Sequence, residues 1–435
     1  MSEETLFPIG DPKPAPNENA GAPRLLRPER NEVEVHFENL ERMIADDHEV
    51  RIVWEFVAQA DLSSLTRTIG STEGHAGRPA IDPRILLALW LYATLDGIGS
   101  ARALEKLCSD HLVYRWICGH VSVNYHTLAD FRSNSGEVLD DLLTEMIATL
   151  RAQQLVHLNR VAHDGIRVRA NAGRGSFRTK DKLGQCLEEA EAQVLQLKQE
   201  LHDAPGASDA RRKSARERVA QERMGKIKEA LRQYPDVKKK KKREKQKAQV
   251  STTDPDARSM RMADGGFRPA YNVQMTTDPA AQLILNVDLS TSGSDEGLLL
   301  PAVEQIHARY GQAPDEILAD GGFAKKDDIE QIGAVHQCKT YAPVPKRKQA
   351  LKKRIRRCRM DGPNVAEWRA RMNTEAAKEI YKQRAPTECI HAQARNRGLQ
   401  QFPVRGKRKV LAVALMFALA HNVIQVANLR KKRPA

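Results

Sequence analysis

The clearest periodicity in the chain lies between residues 183 and 201. Leu183, Leu187, Ala190, Val194, Leu197 and Leu201 follow a 4-3-4-3-4 spacing, the seam of a coiled coil. An Ala-Pro-Gly turn at 204–206 breaks it. A second apolar stripe follows at Ala220, Met224, Ile227 and Leu231. The pattern predicts a helical hairpin over residues 174–250, ending in the basic run KKKKKREKQK at 238–247. Such a run is either a solvated face or a phosphate contact.

Ahead of it, residues 31–153 read as helices. Asp82 and Pro83 form a cap and first-turn pair for Arg84–Leu95, and Gly97 stops that helix. Ser100 caps a helix through Leu107. Thr127 and Asp130 have capping-box spacing and open a helix through Phe131. Short helices with tight turns suggest a helix-turn-helix type module that binds DNA. A helical packing domain without DNA contact is the plainer alternative. In the first case His126, Thr127 and Arg132 are candidates to face nucleic acid. Residues 1–30, rich in Pro, Gly, Asn and Glu, read as a disordered lead-in.

After the helices comes RVAHDGIRVRANA, where the period changes to 2. Ala162, Asp164, Ile166 and Val168 share one strand face. A carboxylate on an apolar face is costly unless something pairs with it, so Asp164 is a metal-ligand candidate. Arg167 and Arg169 lie on the opposite face, and Gly165 permits close approach. Beyond the hairpin, Tyr271–Thr277 and Leu283–Leu289 read as strands and Glu296–Tyr310 as a helix. EILADGG is a short strand ending at Asp320, and open sheets bind ligands at the carboxyl ends of strands. The similar ADGGF at Asp264 precedes its strand and ranks lower. A helix over Lys325–Ile332 and a strand over Lys339–Pro343 follow. The basic segment Lys346–Arg359 then offers Lys346, Arg347, Arg354 and Arg356 to phosphate. The longest apolar run, Val410–Ala420, is too short for a bilayer, which needs about 20 residues, and reads as a buried helix.

The stretch YKQRAPTECIHAQAR sets Tyr381, Arg384, Glu388 and Arg395 within an arc of about 60° on a continuous helix. Pro386 interrupts it. Either the helix kinks there, or a new helix starts with Pro386 in its first turn. A solvated ion pair is one reading of Glu388 among arginines. A metal-holding carboxylate flanked by cations that grip a polyanion is the other.

Composition narrows this. The chain has 435 residues, room for two or three domains, and an apolar fraction of 41%. It carries 70 Lys and Arg against 56 Asp and Glu, a net of +14, which favours a polyanionic partner. Six cysteines form no CxxC pair. Cys108, His111, Cys118 and His120 are close in sequence, but free cysteines of this kind read as core residues rather than a zinc site. The amino terminus has no signal-peptide pattern, and the expectation is a soluble intracellular protein.

Two strand-borne aspartates followed by a helical glutamate are hard oxygen donors, suited to Mg²⁺ or Mn²⁺ and not to zinc. Two such ions about 3.5–4 Å apart support in-line displacement at phosphorus. Here the chain resembles the bacterial insertion-sequence DDE transposases. The resemblance spans about residues 30–428. It is carried by GRPAIDPRILLALWLYATLDGIGSARALEKLC, YHTLADFR, HDGIRVRANA, STTDPDARSM, GGFRPAYNVQ and ILADGGF. The family's third block, Y-x₂-R-x₃-E-x₆-K, reads here Tyr381, Arg384, Glu388 and Arg395, with arginine in place of the final lysine. The likeness is to the IS-four superfamily kind, with an IS-five-like amino-terminal module.

The resemblance implies an α/β fold: a ribonuclease-H-like catalytic core over 154–173 and 251–428, with the hairpin at 174–250 inserted in it. The all-helical DNA-binding module at 31–153 precedes it and a basic tail at 429–435 follows. It implies Asp164, Asp320 and Glu388 as catalytic carboxylates holding two Mg²⁺ or Mn²⁺ ions. Tyr381, Arg384 and Arg395 would hold the transposon end. The partners would be double-stranded DNA, as terminal inverted repeats and target, and a second copy of the chain on that DNA, with no membrane. The setting would be the bacterial cytoplasm at the nucleoid. A non-catalytic DNA-binding protein is the alternative, against which stand three intact acidic positions.

Overall fold

The computed structural model describes residues 39–67, 69–71, 79–202, 207–239, 248–345 and 361–432. The lead-in, the turn at 204–206, residues 240–247 of the basic run and the segment with Lys346, Arg347, Arg354 and Arg356 lie outside the described residues.

Up to residue 152 the described chain is helical: α1 (Leu40–Met43), α2 (Glu49–Gln59), α3 (Ser63–Thr66), α4 (Pro83–Leu95), α5 (Ala101–Asp110), α6 (Leu112–Cys118), α7 (Tyr125–Asn134) and α8 (Gly136–Ala152). Local chemistry sets their ends. Asp82 accepts from the Arg84 amide with Pro83 in the first turn of α4, and Ser100 accepts from the Ala103 amide at the start of α5. α7 begins earlier than the Thr127–Asp130 spacing predicts. Asn124 is its cap, with Oδ1 accepting from the Thr127 amide at 2.9 Å, so Thr127 lies inside the first turn.

The second half builds a sheet. β1 (Arg160–Arg169) leads to the short β2 (Phe177–Arg178). α9 (Lys180–His202) and α10 (Ala207–Lys239) then run out and back to β3 (Val250–Ser251), which pairs with β2. The two helices pack along Leu183, Val194 and Leu197 on one side and Ala220, Ile227 and Ala230 on the other, all buried. β4 (Arg258–Arg261), β5 (Phe267–Asp278), β6 (Leu283–Ser290), α11 (Leu299–Tyr310), β7 (Glu316–Ala319), α12 (Lys326–His336) and β8 (Lys339–Tyr341) follow. α11 starts three residues later than Glu296, the predicted first residue. The sheet order is β4–β5–β1–β7–β8, with β6 also on β5. β5 is antiparallel to β1, β4 and β6, whereas β1, β7 and β8 run parallel.

The chain ends in α13 (Pro363–Met372), α14 (Glu375–Lys382), α15 (Ala385–Asn396) and α16 (Lys407–Lys432). α16 runs well past the end predicted at Ala420. At 26 residues it is long and apolar enough to cross a bilayer, unlike the shorter run read from the sequence. Here its apolar stretch is mostly buried against α4, α8 and β6. Two polar residues stay inside it because they have partners. Asn422 Oδ1 accepts from the Ile284 amide at 2.9 Å, and its Nδ2 donates to the Ile284 carbonyl at 2.8 Å. His421 Nε2 lies 2.8 Å from the Gln282 carbonyl. α16 is the axis of one continuous apolar core that takes in Val53 of α2, Leu89 of α4, Leu143 of α8 and Ile284 of β6.

Candidate active site

β1 and β7 pair in parallel, and the last pair is His163 with Ala319. The next residue on β1 is Asp164, and the residue just past the end of β7 is Asp320. By strand alternation Asp164 shares its face with Ala162, and Asp320 shares its face with Leu318. Those two apolar residues pack together with Tyr341 and Ala377. The two aspartates therefore leave neighbouring strands side by side, at the carboxyl end of β7.

The third acidic residue arrives on α15. Of the two outcomes open to Pro386, the chain takes the second: α14 ends at Lys382, Arg384 is the residue before α15, and Pro386 sits in its first turn. A missing amide costs nothing there, because first-turn amides have no partner within the helix. The helix start is pinned to the sheet by Thr387, buried, whose Oγ1 lies 3.0 Å from Thr277 Oγ1 of β5. This sets Glu388 in the first turn, where the helix dipole favours negative charge.

Arg384 joins the parts. Its Nη1 donates to Asp164 Oδ2 at 2.7 Å and its Nη2 to Glu388 Oε1 at 2.8 Å. Its guanidinium lies 5.9 Å from the centre of the Tyr381 ring. Burial alone would lower the Arg384 pKa, but the charge of Asp164, with Tyr381 and Glu388, raises it overall. Burial pushes the Tyr381 phenol up. His391, one turn along α15, has Nδ1 at 3.8 Å from Asp164 Oδ2, and burial holds its pKa below the ordinary range. Arg395 is exposed one turn further on, and its charge also lowers His391. Tyr381, Arg384 and Glu388 thus gather around Asp164, Asp320 stands exposed beside it, and Arg395 lies outside the direct contacts.

Arg132 goes elsewhere. It is buried, with its guanidinium 4.5 Å from the Trp90 ring centre and a hydrogen bond to the Gly99 carbonyl. Burial lowers its pKa to about 10. A side chain so enclosed does not face a DNA groove, which corrects the expectation of Arg132 on a reading helix. Asp264 is exposed and paired with Arg268. Cys108 and Cys118 are free thiols, and among the described residues no group of three or more His, Cys, Asp or Glu side chains is gathered closely enough to hold a metal.

The face of β1 opposite Asp164 carries a polar ladder that the sequence reading missed. His163 Nε2 is 2.9 Å from Gln274 Oε1 and its Nδ1 is 2.9 Å from Thr276 Oγ1. Asn272 Nδ2 donates to Asp295 Oδ1 at 2.7 Å. Burial pulls the His163 pKa down to about 4, so the ring is neutral. The signal was present in NVQMT: Asn272, Gln274 and Thr276 alternate on one face of a buried strand, where apolar residues would otherwise stand.

Residues 38–134 match the family model "Transposase domain (DUF772)", and residues 244–423 match "Transposase DDE domain". The first covers α1 to α7. The second contains Asp320 and Glu388, while Asp164 falls between the two matched stretches. No curated protein and no solved structure matches the chain. Both matched families are transposase domains, and the chain is a DNA transposase of the DDE class, a polynucleotidyl transferase and nuclease.

A DDE domain implies a divalent metal ion. The residues present fit one by the chemistry of their donors, although with Arg384 between Asp164 and Glu388 they are not drawn together as a metal cluster. Asp164, Asp320 and Glu388 are hard oxygen donors, and two of them already hold a cation, the Arg384 guanidinium, between them.

Proposed function

We propose that Asp164, Asp320 and Glu388 are the catalytic carboxylates of this transposase, acting on transposon ends within a ribonuclease-H-like core. The observation that carries this is the register of β1 and β7, which leaves Asp164 and Asp320 side by side, with Glu388 tied to Asp164 through Arg384. The core reading is supported by the strand order β6–β5–β1–β7–β8, with β5 alone antiparallel to its neighbours. The α9–α10 pair would be an insertion in that core at 174–250, and the helices over 31–153 the DNA-binding module. The third block would make the chain one of the IS-four kind.

The three carboxylates would hold two Mg²⁺ or Mn²⁺ ions, which when bound activate the attacking oxygen and stabilise the leaving oxygen at phosphorus. The protein's own groups prepare that site. Asp164 projects from β1, Asp320 stands just past the end of β7, and Glu388 comes from a helix start fixed by Thr387. Arg384 has two competing partners, the carboxylates in the free protein and the phosphates of the transposon end in the complex. Its planar fork suits both. Tyr381 stacks near it, and Arg395 extends the cationic surface along α15. Lys346, Arg347, Arg354 and Arg356 would add phosphate contacts, and a second copy of the chain would complete an end-bound homodimer in the bacterial cytoplasm, at the nucleoid.

Cleavage of plasmid carrying candidate terminal repeats, with Mg²⁺ or Mn²⁺ and with EDTA, tests the reading. Metal-dependent nicking at the ends is expected. Binding of ends without cutting under either metal would overturn it in favour of a non-catalytic DNA-binding protein.

A further inference from the structure

Asp295 lies in the loop between β6 and α11, far in sequence from each candidate carboxylate, yet it touches the surroundings of two of them. Its Oδ1 accepts from Asn272 Nδ2 of β5 at 2.7 Å, and its Oδ2 accepts from Arg167 Nη2 of β1 at 3.3 Å. Arg167 in turn donates to the carbonyls of Arg261 and Gly293, both at 3.1 Å, which ties β1 to the ends of the flanking loops. On one side, Asp295 Oδ1 is 3.2 Å from the point a Cβ on Gly165 would occupy. On the other, the corresponding point at Gly322 is 3.9 Å from Asp295 Oδ2 and 4.0 Å from Asp320 Oδ2. The Asp295 carboxylate is therefore lodged between the residue that follows Asp164 and the turn that follows Asp320.

That position matters because the β1–β7 ladder stops at His163 and Ala319. Asp164 and Asp320 are the first residues past its last registered pair, so the side chains around them share in setting their spacing. At Gly165 a Cβ would come 2.5 Å from Gln274 Nε2 and 2.7 Å from Asn272 Oδ1, so a larger residue there would displace the ends of those two side chains. Those two atoms are buried and without a hydrogen-bond partner, so the polar ladder ends in unspent capacity next to Asp295. Both Asp295 oxygens are already engaged, and its charge is offset by Arg167, so it acts through geometry.

Resting on the reading of Asp164 and Asp320 as catalytic, we propose that Asp295 is a positioning residue that takes over where the β1–β7 ladder ends and fixes the separation of those two carboxylates. A group that orients metal ligands affects metal affinity and the chemical step, while leaving DNA affinity alone.

The test uses the full chain and Mn²⁺ alone as probe, with the free ion counted by its paramagnetic resonance signal. The proteins are wild type, Asp164→Asn, Asp295→Ala, Asp295→Asn and Arg167→Gln. Asp295→Ala and Arg167→Gln are expected to weaken Mn²⁺ binding and slow single-turnover end cleavage about tenfold or more, the range for partners of metal ligands. End affinity by gel shift and the thermal midpoint should stay near wild type. Asp295→Asn keeps one acceptor for Asn272 and should lose less; it is the deciding variant if Asp295→Ala does not fold. Wild-type Mn²⁺ affinity and cleavage in a folded Asp295 variant would overturn the proposal, as would losses that only follow a fall in thermal midpoint. If Asp164→Asn itself leaves Mn²⁺ binding and cleavage unchanged, it is the reading of the site that fails.

Discussion

Arg384 and Asp164, 220 residues apart in the chain, are joined by a hydrogen bond of 2.7 Å, with side chains only 13% and 18% exposed. The same guanidinium holds Glu388. In the free protein a fixed cation thus pairs with two of the carboxylates proposed to hold metal. Replacing Arg384 with Ala removes that competitor and leaves two negative charges facing each other. Mn²⁺ should bind the DNA-free variant more tightly than wild type. The fold should lose about 3 kcal/mol, since Asp164 keeps its burial and loses its main partner. Specific end binding should fall as well. Arg384→Lys keeps the charge but not the fork and should be intermediate in each measure. Ion titration and urea unfolding check the first two; unchanged Mn²⁺ affinity in Arg384→Ala would show that the guanidinium does not compete.

Arg132 should behave as a core residue. Arg132→Ala removes a buried cation from the Trp90 face and leaves the Gly99 carbonyl without its donor. A loss of about 2 kcal/mol or more is expected. The slope of log affinity for DNA against log salt should be unchanged, whereas losing a phosphate contact would lower it by about 0.9. A normal melting midpoint together with a flatter slope would restore Arg132 to the DNA interface.

His421 gives the fold a pH dependence. Burial pulls its pKa down to about 4, from an ordinary value near 6.5. The unfolded chain then binds the proton more readily than the native one. Its contribution is full above about pH 6.5 and is lost as pH falls toward 4, at about 1.4 kcal/mol per unit. His421→Gln removes that loss. The stability gap between wild type and variant should narrow as pH drops from 7 to 4.5, measured by urea unfolding at each pH; a constant gap would mean that the native imidazole titrates normally.

What could be read from the sequence had local causes. The seam from Leu183 to Leu201 and the caps at Asp82 and Ser100 depend on residues a few positions apart, and each is found. Asp164 stood out because a carboxylate interrupts an apolar face. Its partner Arg384 could not be assigned, because the pairing is made only by the docking of α15 on β1. For Pro386 local energy favours a first-turn position over a kink, but what anchors that helix start, the contact of Thr387 with Thr277, is tertiary. Asn422 read as the end of an apolar helix because its partner is the Ile284 backbone, 138 residues away. Arg132 was a candidate through its place beside His126 and Thr127 on a possible reading helix, without Trp90 in view. Asp295 sits in a loop with no periodicity, and nothing local marks it.

The decisive prediction concerns Asp164→Asn, Asp320→Asn and Glu388→Gln. Each keeps the side chain's shape and removes a negative oxygen, so each should abolish end cleavage and strand joining while DNA binding stays near wild type. Binding should persist because affinity comes mainly from lysine and arginine contacts with phosphate. It should rise slightly in the absence of metal, since a carboxylate near a phosphate repels it. The three variants should differ in stability. Glu388 is 65% exposed and Asp320 is also exposed, so their amides should be close to neutral. Asp164 is the partner of a mostly buried Arg384, and Asp164→Asn should be the least stable of the three. Gel shift, Mg²⁺-dependent cleavage and thermal unfolding on the same preparations separate these effects. Cleavage at the wild-type rate by any one variant would remove that residue from the catalytic set. Loss of cleavage by Asp164→Asn alone, with Asp320→Asn and Glu388→Gln fully active, would reassign the Arg384–Asp164 pair to a purely structural role.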